Sequence, residues 1–107
     1  MLPTTAIPHR AESGSPACSF RLYVAGDAPN STQAIANLAA FCRGHLADRY
    51  EIEIVDVFRE PARALAESIF MTPTLVALTP PPVRKIVGTL SQTQTLLLAL
   101  GLTDSAV

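Results

Sequence analysis

The sequence has little of several features that define common classes of protein. It has two cysteines, no tryptophan, and only 8 basic and 9 acidic side chains among 107 residues, with a formal net charge of -1. This balance argues against a nucleic-acid binder, which needs a basic face for phosphate contacts. No apolar run approaches the roughly 20 residues of a membrane span, and the N-terminus lacks the basic start and apolar centre of a secretory signal. We therefore expect a cytoplasmic protein that binds neither nucleic acid nor membrane.

Apolar residues make up 49% of the chain, which is enough for one small domain with a buried core. Residues 1–17 are rich in Pro, Ser, Thr and Ala and show no period, so we interpret them as a flexible N-terminal tail. We predict a single domain over residues 18–102, followed by a short C-terminal tail over residues 103–107.

The first half of the domain predicts a strand, a helix and a second strand. The run FRLYVA, residues 20–25, alternates apolar and polar side chains as a strand does. Asn30 is a candidate N-cap with Gln33 at the spacing of a capping box, and EIEIVDV, residues 51–57, is the next strand. These elements make a βαβ unit with a right-handed crossover. The predicted apolar face of the helix comprises Ile35, Leu38, Ala39, Cys42 and Leu46.

The second half predicts a short helix and a hairpin. Pro61 suits the first position of the helix, and its predicted apolar stripe comprises Ala62, Leu65, Ala66 and Ile69. The strands LVAL, residues 75–78, and VRKIVG, residues 83–88, are joined by a connection too short for a parallel crossover. They therefore predict an antiparallel pair.

A last helix completes the predicted fold. Ser91 and Gln94 have the spacing of a capping box before LLLAL, residues 96–100, and Gly101 is a suitable helix stop. The predicted fold class is α/β, and its elements follow the order βαβαββα of the thioredoxin fold. The TPT run, residues 72–74, lies where that fold keeps a cis-proline turn.

The chemistry of a thioredoxin is missing from this scaffold. A thioredoxin-type enzyme needs Cys-x-x-Cys at the start of its first helix, whereas this chain has PNST at residues 29–32. We interpret Cys42 as a buried core thiol. The alternative is a thioredoxin-like oxidoreductase or peroxidase that uses a single cysteine, Cys42 or Cys18. The residues suggest no catalytic constellation, no metal site and no cofactor site.

Four runs resemble the KaiB family of circadian clock proteins: LYVAGDAPNS at 22–31, IVDV at 54–57, TPTL at 72–75 and PPPVRKIVGTLS at 80–91. The resemblance covers residues 19–100. It implies a non-enzymatic regulatory protein that binds the hexameric ATPase KaiC, helps to capture KaiA and competes with the sensor kinase SasA, in circadian or stress-related signalling. A SasA-like sensor domain is a third hypothesis, against which we count the absence of a kinase before the chain ends at Val107.

The resemblance also implies a metamorphic protein. Members of the family have a dimeric or tetrameric ground state that keeps the first βαβ unit and rearranges the C-terminal half, and a thioredoxin-like form that binds KaiC. The prolines of the region that would switch are Pro73, Pro80, Pro81 and Pro82.

The resemblance suggests a contact region over residues 56–67 and 72–75. We expect Arg84 and Lys85 at its rim or at the ground-state oligomer interface, although both would also suit a solvated hairpin face. Gln33, Glu53 and Ser68 stand where clock members carry basic residues, which would weaken a charged interface and indicates a divergent member. The candidate partner-binding residues are Arg21, Asp56, Glu60, Glu67, Thr72, Pro73, Thr74, Arg84 and Lys85.

Overall fold

The structure, a computed structural model, describes residues 5–9, 18–46 and 49–101. The predicted C-terminal tail, residues 103–107, lies outside the described residues. None of the described helices is long and apolar enough to cross a membrane. The elements in chain order are β1 (Thr5–His9), β2 (Cys18–Val24), α1 (Pro29–His45), β3 (Tyr50–Asp56), α2 (Pro61–Ala66), β4 (Thr74–Thr79), β5 (Arg84–Val87) and α3 (Thr93–Ala99).

A five-stranded mixed sheet in the order β1-β3-β2-β4-β5 forms the centre of the fold. β2 and β3 are parallel, with Phe20 opposite Ile52 and Leu22 opposite Ile54, because α1 carries the chain back between them. β4 is antiparallel to β2, and β5 is antiparallel to β4. From β2 to α3 the predicted order βαβαββα is thus confirmed, with strand ends that move by one or two residues.

The two faces of the sheet are covered unequally. One face carries the main core, in which Phe20, Leu22 and Leu75 pack against Leu38 of α1 and residues of α3. The other face carries a smaller cluster of Tyr23, Val55, Ala64, Ile69 and Val76, to which α2 contributes only Ala64. This second face is therefore held with far less apolar burial than the first.

The segment predicted to be a flexible tail contains a strand. β1 pairs antiparallel with β3, with Ala6 opposite Glu53 and Pro8 opposite Glu51. The prediction was therefore wrong for residues 5–9. Strand propensity could not reveal this element, because a short run that contains a proline forms a strand only at the edge of a sheet. That edge is provided by β3, which is distant in the sequence.

The predicted helix caps were also wrong. α1 begins after Ala28 with Pro29 in its first turn, and α3 begins after Gln92, and neither N-cap residue makes a side-chain capping hydrogen bond. The end of α3 was predicted correctly, since Gly101 follows its C-cap with φ of +70°.

The stripe predicted for α2 was wrong as well, apart from Ile69. Leu65 is 68% exposed, and Ala64 is the residue that the helix buries. Six residues make fewer than two turns, so apolar spacing alone does not select the face that meets the sheet. The Thr72-Pro73 bond is cis, as expected for this position of the thioredoxin fold, and the Thr79-Pro80 and Pro81-Pro82 bonds are cis too.

Candidate functional site

The start of α1, where a thioredoxin-type enzyme has its cysteines, is occupied by hydroxyl side chains that hold the backbone. Ser31 is buried, and its Oγ accepts a hydrogen bond from the amide of Ala25 at 3.0 Å. Thr32 Oγ1 donates to the carbonyl of Pro29 at 3.0 Å. Both hydroxyls therefore fix the entry into the helix.

The two thiols lie inside the main core. Cys42 has no exposed surface, and burial raises its pKa from 9.0 to about 12. Cys18 is 3% exposed, and burial raises its pKa too, against the opposing charge of Arg49. Because the thiolate is the reactive form, both positions disfavour the single-cysteine oxidoreductase or peroxidase.

A network of charged groups lies on the face of the sheet that α2 covers. Arg21 of β2 contacts Glu53 of β3 at 2.9 Å and Glu67, the residue after α2, at 3.0 Å. The hydroxyl of Tyr23 donates to the same oxygen of Glu67 at 3.1 Å. Burial disfavours the charge on Arg21, but the hydrogen bond and the charge of Glu53 outweigh it and raise its pKa.

Glu53 also forms an ion pair with an arginine of α2. Arg63 donates to both carboxylate oxygens of Glu53, at 3.0 and 3.2 Å, and lies 3.4 Å from Glu60. The bond to Glu53 raises the pKa of Arg63. A bidentate pair of arginine and carboxylate fixes the relative orientation of the two groups more strictly than a single hydrogen bond does. It therefore joins β3 and α2 in one defined geometry.

The network extends to the hairpin through the backbone. Lys85 of β5 donates from Nζ to the carbonyl of Glu67 at 2.6 Å. Across the sheet, Arg21 lies opposite Val76, and Val76 lies opposite Lys85. The structure thus brings four of the predicted residues onto one face: Arg21, Glu60, Glu67 and Lys85.

The other predicted residues have separate places. Asp56 accepts from the amides of Gly26, at 3.2 Å, and Phe58, at 2.9 Å, and so holds the turns after β2 and β3. Arg84 alternates with Lys85 along β5 and therefore belongs to the opposite face of the sheet.

The cis-proline turn is mostly buried. Thr74 is 3% exposed, and its hydroxyl donates to the carbonyl of Met71 at 2.6 Å. The carbonyl of Pro73 accepts from the amide of Gly88 at 2.9 Å, and Thr72 is half-buried. This turn supports the neighbouring loop and offers a partner little side-chain surface.

Exposed apolar side chains lie close in the chain to Arg63 and Glu67 of the network. Leu65 is 68% exposed, Phe70 80% and Met71 60%, and all three belong to α2 or to the loop that follows it. We call these three residues, together with the charged network around Glu53, the α2 surface. Large apolar groups ringed by charge are typical of protein-binding sites.

Sequence reasoning missed several parts of this surface. Arg63 was not singled out, Glu53 was considered only as a substituted basic position, and the exposure of Phe70 and Met71 was not foreseen. A signal for Glu53 was present, because Glu51 and Glu53 alternate with apolar residues along β3 and so share the face away from the main core.

A family model described as the KaiB domain matches residues 21–102, which include every element from β2 to α3 apart from the first three residues of β2. The chain belongs to the KaiB family. It is 46% identical over 81 residues to circadian clock protein KaiB3 of Synechocystis, covering 76% of this chain and 79% of that protein. It is 40% identical over 83 residues to the circadian clock oscillator protein KaiB of Prochlorococcus marinus, covering 78% and 70%.

Solved structures support the fold of this KaiB-family chain. The N-terminal domain of Synechococcus elongatus SasA superposes with a TM-score of 0.68 at 15% identity, over 88% of this chain and 92% of that domain. Mitochondrial thioredoxin 3 of Saccharomyces cerevisiae gives 0.64 at 15% identity, over 80% and 78%. At such identities the likeness concerns the fold alone, which is thioredoxin-like.

Proposed function

We propose that this protein is a regulatory module of circadian or stress-related signalling that docks on a KaiC-type hexameric ATPase. The observation that carries the proposal is the KaiB domain match over residues 21–102, which spans the whole α2 surface. The named relatives are clock proteins, and a role by binding suits a chain whose thiols are both buried.

The α2 surface supplies the docking contacts in this proposal. Leu65 and Phe70 provide exposed apolar area that a partner can bury, while Glu67 at the end of α2 and the exposed Lys85 of β5 provide charges. Apolar anchors supply most of the affinity of such an interface, and the surrounding charges select the partner and speed the encounter. The charges at this surface are largely paired within the chain, so we expect Leu65 and Phe70 to dominate the affinity.

We further propose that KaiA-like or SasA-like clock components act with or against this docking, and that the protein has a dimeric or tetrameric resting state. In that state the C-terminal half, with Pro73 and the prolines at positions 80–82, is rearranged as the family resemblance suggests. Light scattering of the purified protein at several concentrations tests the oligomer, with a monomer at all concentrations as the contrary result.

The docking experiment is a timed mixture of the purified protein with the KaiC-type ATPase of the same host and ATP, followed by size-exclusion chromatography over hours. We expect a ring-bound complex for the native protein. Phe70→Glu and Leu65→Glu should each weaken it by about tenfold or more, because a charge then enters the apolar contact.

Leu98→Glu is the matched control. Leu98 is 63% exposed, as Leu65 is 68% exposed, but it lies on α3 at the opposite face of the sheet. Circular dichroism of each variant checks that the fold is kept. Absence of any complex with the native protein would overturn the proposed function, and an equal loss with Leu98→Glu would overturn the choice of surface.

A further inference from the structure

The helix α2 has few means of holding its own position. It is six residues long, its N-cap Glu60 makes no side-chain capping hydrogen bond, and it buries only Ala64. By contrast, α1 buries five residues along 17. A helix of fewer than two turns is marginal by local interactions, so contacts from outside must hold α2 in place.

Tyr23 and Lys85 bind Glu67 at the end of the helix, and the ion pairs that link the helix to the sheet converge on Glu53. Its carboxylate binds Arg63 within the helix, at 3.0 and 3.2 Å. It also binds Arg21 at 2.9 Å, and Arg21 in turn holds Glu67, the residue at the end of the helix, at 3.0 Å. One side chain on β3 therefore restrains both halves of α2.

We propose that Glu53 is the positioning residue of α2, and that charge rather than apolar burial fixes this helix on the sheet. The paired side chains are between a quarter and a third exposed, at 24% for Arg21, 26% for Glu53 and 33% for Arg63, so salt reaches and screens them. Raising the ionic strength loosens α2 while the central strands stay folded. Because Leu65 belongs to α2, the position of this helix also sets the position of Leu65 for docking. This consequence rests on the proposed function.

Hydrogen exchange at single amides tests this directly. The amides of Ala64, Glu67 and Ile69 are bonded within α2 and its end, to the carbonyls of Glu60, Arg63 and Ala64. Glu53→Gln removes the charge at nearly constant shape. We expect exchange at these three amides to become about five- to tenfold faster, with no change at the amides of β2 and β4.

The response to salt separates positioning from a general structural role. Raising NaCl from about 0.05 M to about 0.5 M should speed the α2 amides about threefold in the native protein and leave them nearly unchanged in Glu53→Gln. Glu51→Gln is the matched control, since Glu51 lies on the same face of β3 and makes no ion pair with the described residues. Arg63→Gln removes the same pair from the helix side and should reproduce the effect.

Exchange at the α2 amides that is unchanged in both Glu53→Gln and Arg63→Gln would overturn the proposal. Equal acceleration in β2 and β4 would do so too, since it would mark a contribution to global stability alone. An effect of Glu51→Gln as large as that of Glu53→Gln would trace the effect to the overall charge of β3. No ATPase is present in these measurements, so their outcome is independent of whether the proposed docking occurs.

Discussion

The stability of this domain should fall at alkaline pH because of one buried thiol. Cys42 has no exposed surface, and burial raises its pKa from 9.0 to about 12. The unfolded chain releases this proton as the pH rises through about 9, whereas the folded protein keeps it until about pH 12. The contribution of Cys42 is therefore fully present below pH 9 and is lost progressively between pH 9 and pH 12.

The size of the loss follows from the two pKa values. Between pH 8 and pH 10 the unfolded chain becomes mostly deprotonated at Cys42 while the folded chain stays protonated. This difference lowers the free energy of unfolding by about 1.4 kcal/mol. A domain of this size is typically stable by about 5–15 kcal/mol, so the change is large enough to measure. Cys18 and Tyr23 add losses of the same sign, because burial raises their pKa values as well.

Urea unfolding at pH 8 and pH 10, under reducing conditions, measures the effect, and Cys42→Ala isolates it. The variant is less stable at both pH values because it loses packing. Its decrease in the free energy of unfolding from pH 8 to pH 10, however, should be about 1.4 kcal/mol smaller than that of the native protein. Equal losses in the two proteins would refute the reasoning. A thiol reagent gives a second readout at pH 8, where Cys42 should react roughly a thousandfold more slowly in the folded protein than in urea.

Two further pairs of substitutions test the packing of the core and the hydrogen bond that anchors α1. Leu75→Ala should lower the free energy of unfolding by about 2–5 kcal/mol, because Leu75 has no exposed surface. Leu98 is 63% exposed, so Leu98→Ala should lower it by less than about 0.5 kcal/mol. Similar midpoints of urea unfolding for the two variants would contradict this. Ser31→Ala leaves the amide of Ala25 without its acceptor and should cost about 1–2 kcal/mol in the same assay, more than Thr32→Ala, whose side chain is exposed. An equal cost at both positions would contradict the proposed anchoring of α1.

Much of the fold could be predicted because its main elements obey a local period. The alternation in FRLYVA, the apolar end of EIEIVDV and the short link between the hairpin strands were sufficient to place β2, β3, β4 and β5 within one or two residues. The proline at the first position of α2 marked the start of that helix, and the glycine after α3 marked the end of the other, both for reasons of backbone geometry. The family could be recognised at the same level, since its motifs are runs of neighbouring residues.

The α2 surface could be predicted only in part. Glu60, Glu67 and Lys85 were selected from a family pattern, but the pattern contains no information about which charge meets which. Glu53 reaches Arg63 ten positions away and Arg21 reaches Glu67 at a separation of 46. These pairs depend on the register of β2 on β3 and on which face of a six-residue helix meets the sheet.

The order of the elements from β2 to α3 and the family could therefore be determined from the sequence alone, because backbone preferences and the spacing of apolar residues depend on near neighbours. The assembled sheet decided three other features: that residues 5–9 find an edge to pair with, that Cys18 is buried as well as the predicted Cys42, and that one carboxylate on β3 joins two arginines. Each of these depends on groups distant in sequence, whose energies arise only from the burial and close approach that folding creates.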